Sequence, residues 1–303
     1  ILLGTENVPE AYTGISTNML YPGATGHPIT KGMPDGALRF WRPEHQVVDK
    51  SFILPNSANY RILDGFPVIG MVEVPYGKGT YILSQIKIQE SLGEEPMAEE
   101  MLKRILVYLD FFNGHEFKAT GLIAGKDSVF TIACHDLRVQ FSTAPEETLA
   151  RKESLEQIVV HLPTIDVDST LKELVQWVEK GGRLILHGVT SENVDTVNRY
   201  FDLGLKLVQQ PPRVQLLDTY FNWGFSPYLL AFGSDTWPRS YGVLTMDVPV
   251  EAGSVPLLWG KVSYGKGELV FSQVRWEDAT DEVFKVAQFA ATFFTNFGIP
   301  MGR

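Results

Sequence analysis

A single cysteine among 303 residues, Cys134, has no partner for a disulfide within the chain, so no covalent staple can stand in for a core. The cysteine count does not decide between the cytoplasm, a periplasm and the exterior as compartments. No apolar run approaches the roughly 18–20 residues that a bilayer-spanning helix needs, so membrane insertion is not expected. Basic residues number 26 against 36 acidic ones, and the net charge of −10 comes without any lysine/arginine cluster, which argues against nucleic acid and anionic membranes as partners. The six histidines, at 27, 45, 115, 135, 161 and 187, form no His-x-His or His-x-x-x-His pair, and a second cysteine is missing. No metal site and no cofactor are therefore expected from spacing. The chain opens at Ile1 with neither an initiator methionine nor a basic, signal-like stretch, and is expected to be a fragment or processed piece of something longer.

What the chain does contain is a segment that occurs twice. Tyr76-Gly77-Lys78-Gly79-Thr80-Tyr81-Ile82-Leu83-Ser84-Gln85-Ile86 returns 188 residues later as Tyr264-Gly265-Lys266-Gly267-Glu268-Leu269-Val270-Phe271-Ser272-Gln273-Val274, with six of eleven positions identical. That offset is a domain length rather than a solenoid period. The flanks are apolar, so Gly-Lys-Gly reads as a hairpin turn with Gly77, Gly79, Gly265 and Gly267 at positions of positive φ. Each copy is followed by an apolar helical segment. The chain is thus expected to hold two related domains, 1–116 and 117–303, each ending in hairpin, strand and helix.

The second domain reads most clearly. Gly121–Ala124 is a short strand candidate and Asp127–Val139 a helix. Gln157–Leu162 and Arg183–His187 are continuous apolar runs of the kind buried on both faces of a parallel sheet. Between them Asp168-Ser169-Thr170 can cap a helix whose Leu171, Leu174, Val175 and Val178 share a face, with Gly181-Gly182 as its stop. Ser191–Phe201 follows as another helix. This alternation predicts a doubly wound, flavodoxin-like α/β sheet, mainly parallel with a terminal β-hairpin. Ile1–Val8 matches the stretch from Leu184 onward, so the first domain is expected to start at its fourth element. It would lack about 65–70 residues carrying its first strands, to be supplied by a preceding segment or a companion chain. In the first domain Pro96 opens a helix with Ala98, Met101, Leu102, Ile105, Leu106, Leu109 and Phe112 on one face.

Three stretches carry a family resemblance. Val175–Leu186 has the helix, Gly-Gly, strand pattern of class I glutamine amidotransferase-like domains, Gly26-His27-Pro28-Ile29-Thr30-Lys31-Gly32 resembles a segment of ThuA-like proteins, and Tyr-Gly-Lys-Gly…Ser-Gln resembles the ends of such domains at the C-termini of large bacterial glycoside hydrolases of the β-galactosidase and family 2 type. The resemblance implies degenerate tandem domains in a carbohydrate-active enzyme. It implies as partners an upstream catalytic module or companion chain, a carbohydrate, or a second copy of the chain.

The chemistry that such a domain performs when active is absent. An amidotransferase needs a cysteine on a strained strand-to-helix elbow, activated by a nearby histidine. Cys134 falls inside a helix, His135 projects about 100° away from it, and no His-x-Glu occurs. Cys134 reads as a small core residue. Carboxylates for glycoside cleavage come from separate strands and cannot be ranked by spacing; Asp64, Glu73, Glu251 and Glu268 are available. Lys78 and Lys266 read as turn-tip charges. His27, through the ThuA-like segment, and Trp41, Trp223, Trp237 and Trp276, through their aromatic faces, are the candidates for carbohydrate contact, with loop packing as the alternative. The expected role is a non-catalytic scaffold of a larger glycoside hydrolase. A ThuA-like sugar-modifying or sugar-binding protein, and an interaction module of a bacterial envelope or transport complex, are the alternatives.

Overall fold

In both halves the Tyr-Gly-Lys-Gly segment forms a two-residue turn, with Tyr76 paired to Gly79 and Tyr264 to Gly267. Only the first glycine of each pair has positive φ, +58° at Gly77 and +59° at Gly265. That is the backbone of a turn with glycine at its first central position, whose twist matches the flanking strands. Gly79 and Gly267 instead begin the return strands. The computed structural model describes residues 10–12, 17, 19–20, 26–34, 36–64, 68–208, 214–230, 239–279 and 283–302. Ile1–Val8 and Trp237 lie outside them. The chain divides into two compact units: Ile1–Glu116 with Asp218–Pro227 and Gln288–Gly298, and Phe117–Leu217 with Tyr228–Ala287 and Ile299–Arg303. Among the described residues no helix is long and apolar enough to cross a membrane.

The second unit is mixed α/β, built on a mainly parallel six-stranded sheet. Across the sheet the strands run Glu251–Ala252, Trp259–Tyr264, Gly267–Ser272, Arg183–His187, Gln157–His161 and Thr120–Ile123. The last four are mutually parallel, and the hairpin supplies the antiparallel edge. Continuous apolar runs give strands buried on both faces, as at Gln157–His161. The helix Val167–Glu179 buries Leu171, Leu174, Trp177 and Val178 against Ile158, Val160, Leu184, Leu186, Leu269 and Phe271. Each such side chain contributes about 1.5–3 kcal/mol. The helix starts slightly earlier than the sequence suggests, because Asp166 caps it by accepting from the Ser169 N–H, and Asp168 pairs with Arg199 and Tyr200 instead. The parallel strands follow chain order across the sheet. A doubly wound sheet reverses that order on the far side of Thr120–Ile123. There residues 139–142 give a Ser142 N–H bond to the Thr120 carbonyl and an isolated bridge from Val139 to Met301.

Two contacts pin the strand Gly267–Ser272. At its start, a Cβ on Gly267 would lie 2.2 Å from the carbonyl oxygens of both Gly182 and Val178, so the strand packs directly on the end of the preceding helix. At its end, the Gln273 side chain donates to the Val189 carbonyl and accepts from the Val189 N–H, each at 2.8 Å.

The first unit has a three-stranded antiparallel sheet of Arg61–Ile62, Met71–Tyr76 and Gly79–Ser84, and a short pair of Glu10–Tyr12 with Ser51–Ile53. Its core gathers Leu20, Ile29, Leu38, Trp41, Val47, Leu63, Met71, Ala98 and Met101. The helix Pro96–Asp110 has Glu95 as its N-cap and fully buries only Ala98, Met101 and Tyr108. Leu106 and Leu109, placed on the core face by periodicity, are exposed, together with Val107 and Phe111.

The two second glycines of the turns should respond differently to substitution. Gly267→Ala has to displace two backbone carbonyls and lowers stability by more than about 2 kcal/mol. A Cβ at Gly79 meets only the Tyr76 oxygen at 3.6 Å, and Gly79→Ala changes stability by less than about 1 kcal/mol. Urea unfolding of both variants checks this; equal losses would contradict it.

Candidate functional site

Two buried polar clusters stand out, one in each unit. In the first, antiparallel pairing sets Arg61 directly opposite Glu73, and their side chains meet at 2.6 Å between Nη1 and Oε2. Glu73 lies within an otherwise apolar strand, and neither residue is more than 1% exposed. Glu73 Oε1 accepts from the Tyr108 hydroxyl at 2.6 Å and from the Thr80 hydroxyl at 3.0 Å. His27 Nε2 faces Glu73 Oε2 across 3.5 Å. The Arg61 guanidinium is completed by Asn296 Oδ1 at 2.6 Å and the Tyr220 oxygen at 2.8 Å. Gly224, at φ +85°, lets its loop close over Arg61, since a Cβ there would sit 2.8 Å from Arg61 Cβ.

The electrostatics follow from burial and pairing. Burial alone would raise the Glu73 carboxyl, but the Arg61 charge, aided by His27 and Tyr108, holds it well below the usual carboxylate range. Burial works against the Arg61 charge, yet Glu73 raises its pKa. Burial lowers His27 despite the attraction of Glu73, and raises Tyr108, with Glu73 adding to the rise. His27 Nδ1 accepts the Ile29 N–H at 3.2 Å, so in the neutral ring the proton sits on Nε2, 3.5 Å from Glu73 Oε2 and without a regular hydrogen bond to it. A carboxylate met by Arg61, Tyr108, Thr80 and His27, and closed to solvent, has no free position for a substrate.

In the second unit, the parallel register places His161 beside His187 as the last residues of their strands, and Ser272 beside His187 in the next strand. This carboxyl end of a parallel sheet is where α/β folds bring functional groups together. The short helical turn Trp276–Asp278 then delivers Glu277. His187 Nε2 lies 3.2 Å from both Glu277 oxygens, and His187 Nδ1 is 3.0 Å from Ser272 Oγ. His161 Nδ1 contacts Thr164 Oγ1 and its Nε2 the Tyr241 oxygen, each at 3.0 Å. Tyr241 donates to Glu277 Oε1 at 2.5 Å. Phe130 stacks on His161 with centroids 4.7 Å apart. Burial, with His187 adding, lowers His161 to about 3. Burial opposes the Glu277 charge, but His187 and Tyr241 bring its pKa below the ordinary value. Burial and Glu277 raise the Tyr241 phenol.

The residues singled out by sequence fall in different surroundings. His27 and Trp223 come together in the first unit, ring centroids 5.2 Å apart, with Tyr108 between the same elements. Trp223 is half-buried and lines a groove of about 360 Å³ with Pro28, Lys103, Val107, Tyr108 and Phe111. Trp41 is 1% exposed, and its indole N–H donates to the Ala37 carbonyl. Trp276 is buried beside Phe130 and His187 in the second unit. Cys134 is buried in the helix Val129–Asp136, its thiol raised by burial and by Glu277. Of the four available acids, Glu73 and Asp64 are buried: Glu73 is met by side-chain donors, whereas Asp64 accepts from the Gly70 and Met71 N–H groups and burial raises its carboxyl to about 7. Glu251 and Glu268 share Lys261 near the sheet edge. Sequence reasoning did not join His161 with His187. The available signal was that each closes an apolar strand.

No family model and no curated protein matches the sequence. Solved structures similar to parts of it include glycoside hydrolases. An exo-β-1,4-mannosidase from an Opitutaceae bacterium matches at 12% identity and TM-score 0.35, over 69% of this chain and 40% of its own. A β-galactosidase from Rahnella matches at 12% identity and TM-score 0.35, over 67% and 34%. A cytoplasmic protein from Salmonella typhimurium matches at 13% and 0.37, over 50% and 74%. The chain spans well under half the length of either hydrolase.

Because the Glu73 carboxyl is more acidic folded than unfolded, its contribution to stability is fully present above the unfolded value of 4.5 and is lost as pH falls below it. Glu73→Gln strands the buried Arg61 charge and costs about 3–5 kcal/mol near neutrality. In chemical denaturation the gap between wild type and variant stays constant from about pH 7 to 5.5 and shrinks by about pH 3; a gap independent of pH would refute the ionised pair.

Proposed function

We propose that this chain is a non-catalytic accessory region of a larger bacterial carbohydrate-active enzyme of the glycoside hydrolase type, packing against a neighbouring module of that enzyme. The reading rests first on one observation: the groups able to do chemistry are closed away and paired with one another. Glu73 and Glu277 are both buried beneath their own donors, and Cys134 lies within a helix with its thiol raised, the opposite of an activated nucleophile. The second unit is read as a degenerate amidotransferase-like, flavodoxin-like frame whose reversed edge strand is reduced to residues 139–142. That reading is supported by the helix, Gly-Gly, strand passage and by the bond of Ser142 to Thr120.

The packing surface is the outer side of the helix Pro96–Asp110, where Leu106 is 58%, Val107 47% and Phe111 73% exposed. Clustered exposed apolar side chains of this kind mark interaction surfaces. A photoreactive phenylalanine analogue at position 111 of the natural full-length protein should cross-link to a neighbouring module. Cross-links found nowhere outside residues 1–303, or only to a second copy, would overturn this placement.

A second reading, saccharide binding of ThuA-like kind, is favoured by the groove beside Trp223. His27 is fully buried and would act only by positioning the Trp223 and Tyr108 rings. Titration with a panel of pyranosides should show binding that Trp223→Ala weakens at least about tenfold, the order of one lost stacking contact; no binding by the wild type removes this reading.

A further inference from the structure

We infer that His161, His187, Glu277 and Tyr241 form a site for a zinc-like divalent transition ion that ties together three strand ends of the second unit. His161, His187 and Glu277 each offer a ligand atom, and these atoms lie within 4.8 Å of one another. The Tyr241 oxygen adds a fourth, 2.5 Å from Glu277 Oε1 and 3.0 Å from His161 Nε2. His187 Nε2 stands 3.2 Å from Glu277, and His161 Nε2 stands 3.9 Å from it. Donors at about 2.0–2.1 Å around a tetrahedral ion are separated by roughly 3.4 Å, so the widest pair has to close by up to about 1.4 Å and the Tyr241–Glu277 pair to open by about 0.9 Å, each change shared between two side chains. Two imidazoles and a carboxylate suit zinc, and four protein ligands make a closed, structural site.

The surroundings match what a metal site requires beyond its ligands. Each imidazole is held through Nδ1 by a hydroxyl, Thr164 for His161 and Ser272 for His187, which aims Nε2 inward. A hydroxyl can donate or accept, so the same frame serves both states. Without metal, the Nε2–H groups donate to Tyr241 and Glu277 and the hydroxyls donate to Nδ1. With metal, each ring keeps one proton but carries it on Nδ1, the hydroxyl oxygen accepts it, and Thr164 can turn its proton to the His161 carbonyl at 3.2 Å. A bound dication would have to draw the Tyr241 proton off to solvent against the burial and the Glu277 charge that raise the phenol, and phenolate and carboxylate would then balance its charge. The other titratable or charged groups facing the site are Cys134, buried and protonated, and Arg275, over the Tyr241 ring at 5.0 Å with its charge shared by Asp278. Tyr241 is the half-exposed member and marks the side of entry.

Zinc titration of the apo protein, followed by calorimetry and by long-range proton–nitrogen spectra of the histidine rings, tests the site. The expected result is one zinc per chain, affinity that rises with pH, and a change of His161 and His187 from the Nε2–H to the Nδ1–H form, the other four rings unmoved. His187→Gln and Glu277→Gln, checked for folding by circular dichroism, should bind at least about 100-fold more weakly. Should either variant fail to fold, the ring spectra of the wild type decide alone. No saturable binding, binding with the His161 and His187 signals unmoved, or wild-type affinity in folded variants would overturn the proposal.

Discussion

The register of the strand Gly267–Ser272 is the constraint on which the second unit depends. One face of its first residue is filled by two backbone carbonyls, so the strand cannot slide without a clash. The amide of Gln273 closes on both backbone groups of Val189, so the far end cannot slide either. A slip of one residue would move Leu269 and Phe271 to the opposite face of the sheet, away from the cluster they fill with the helix Val167–Glu179. It would also part Ser272 from His187. The polar cluster at the sheet's carboxyl end is therefore a consequence of packing at its amino end.

The repeat and the chemistry are separate in this chain. The two hairpins share turn geometry and pairing, down to the φ of the first glycine. The buried carboxylates do not share positions. Lys261 stands where the repeat would place a second Glu73, and Gln89 where it would place a second Glu277. In the first unit the carboxylate is neutralised by an arginine across an antiparallel pair. In the second it collects two imidazoles from the ends of parallel strands. The common frame fixes where a strand ends, and what is buried there differs.

Burying ionised groups is costly unless their partners are complete. Arg61 and Glu73 meet that condition through Asn296, Tyr220, Tyr108 and Thr80, which binds three segments distant in sequence into one unit. Such closure leaves the Glu73 carboxylate no way to reach a substrate, as a catalytic carboxylate must. The outward side of the helix Pro96–Asp110 is the complementary feature, apolar surface left open where the core does not need it.

Composition and periodicity by themselves determined much of the second unit. Apolar runs specified its buried strands, Leu171, Leu174 and Val178 its helix face, the glycine doublet its helix stop, and the repeated segment its hairpin. These are local properties of the chain, written in neighbouring residues. Spacing could not foretell the pairing of His161 with His187, 26 positions apart, because a parallel crossover of any length can bring two strand ends together. Nor could it show Glu73 as part of a closed ion pair, although a lone acid between Val72 and Val74 was a signal. Trp41 looked like a loop aromatic until its surroundings were known. Only tertiary structure decides such matters, since burial and partnership depend on which distant segments close over a side chain.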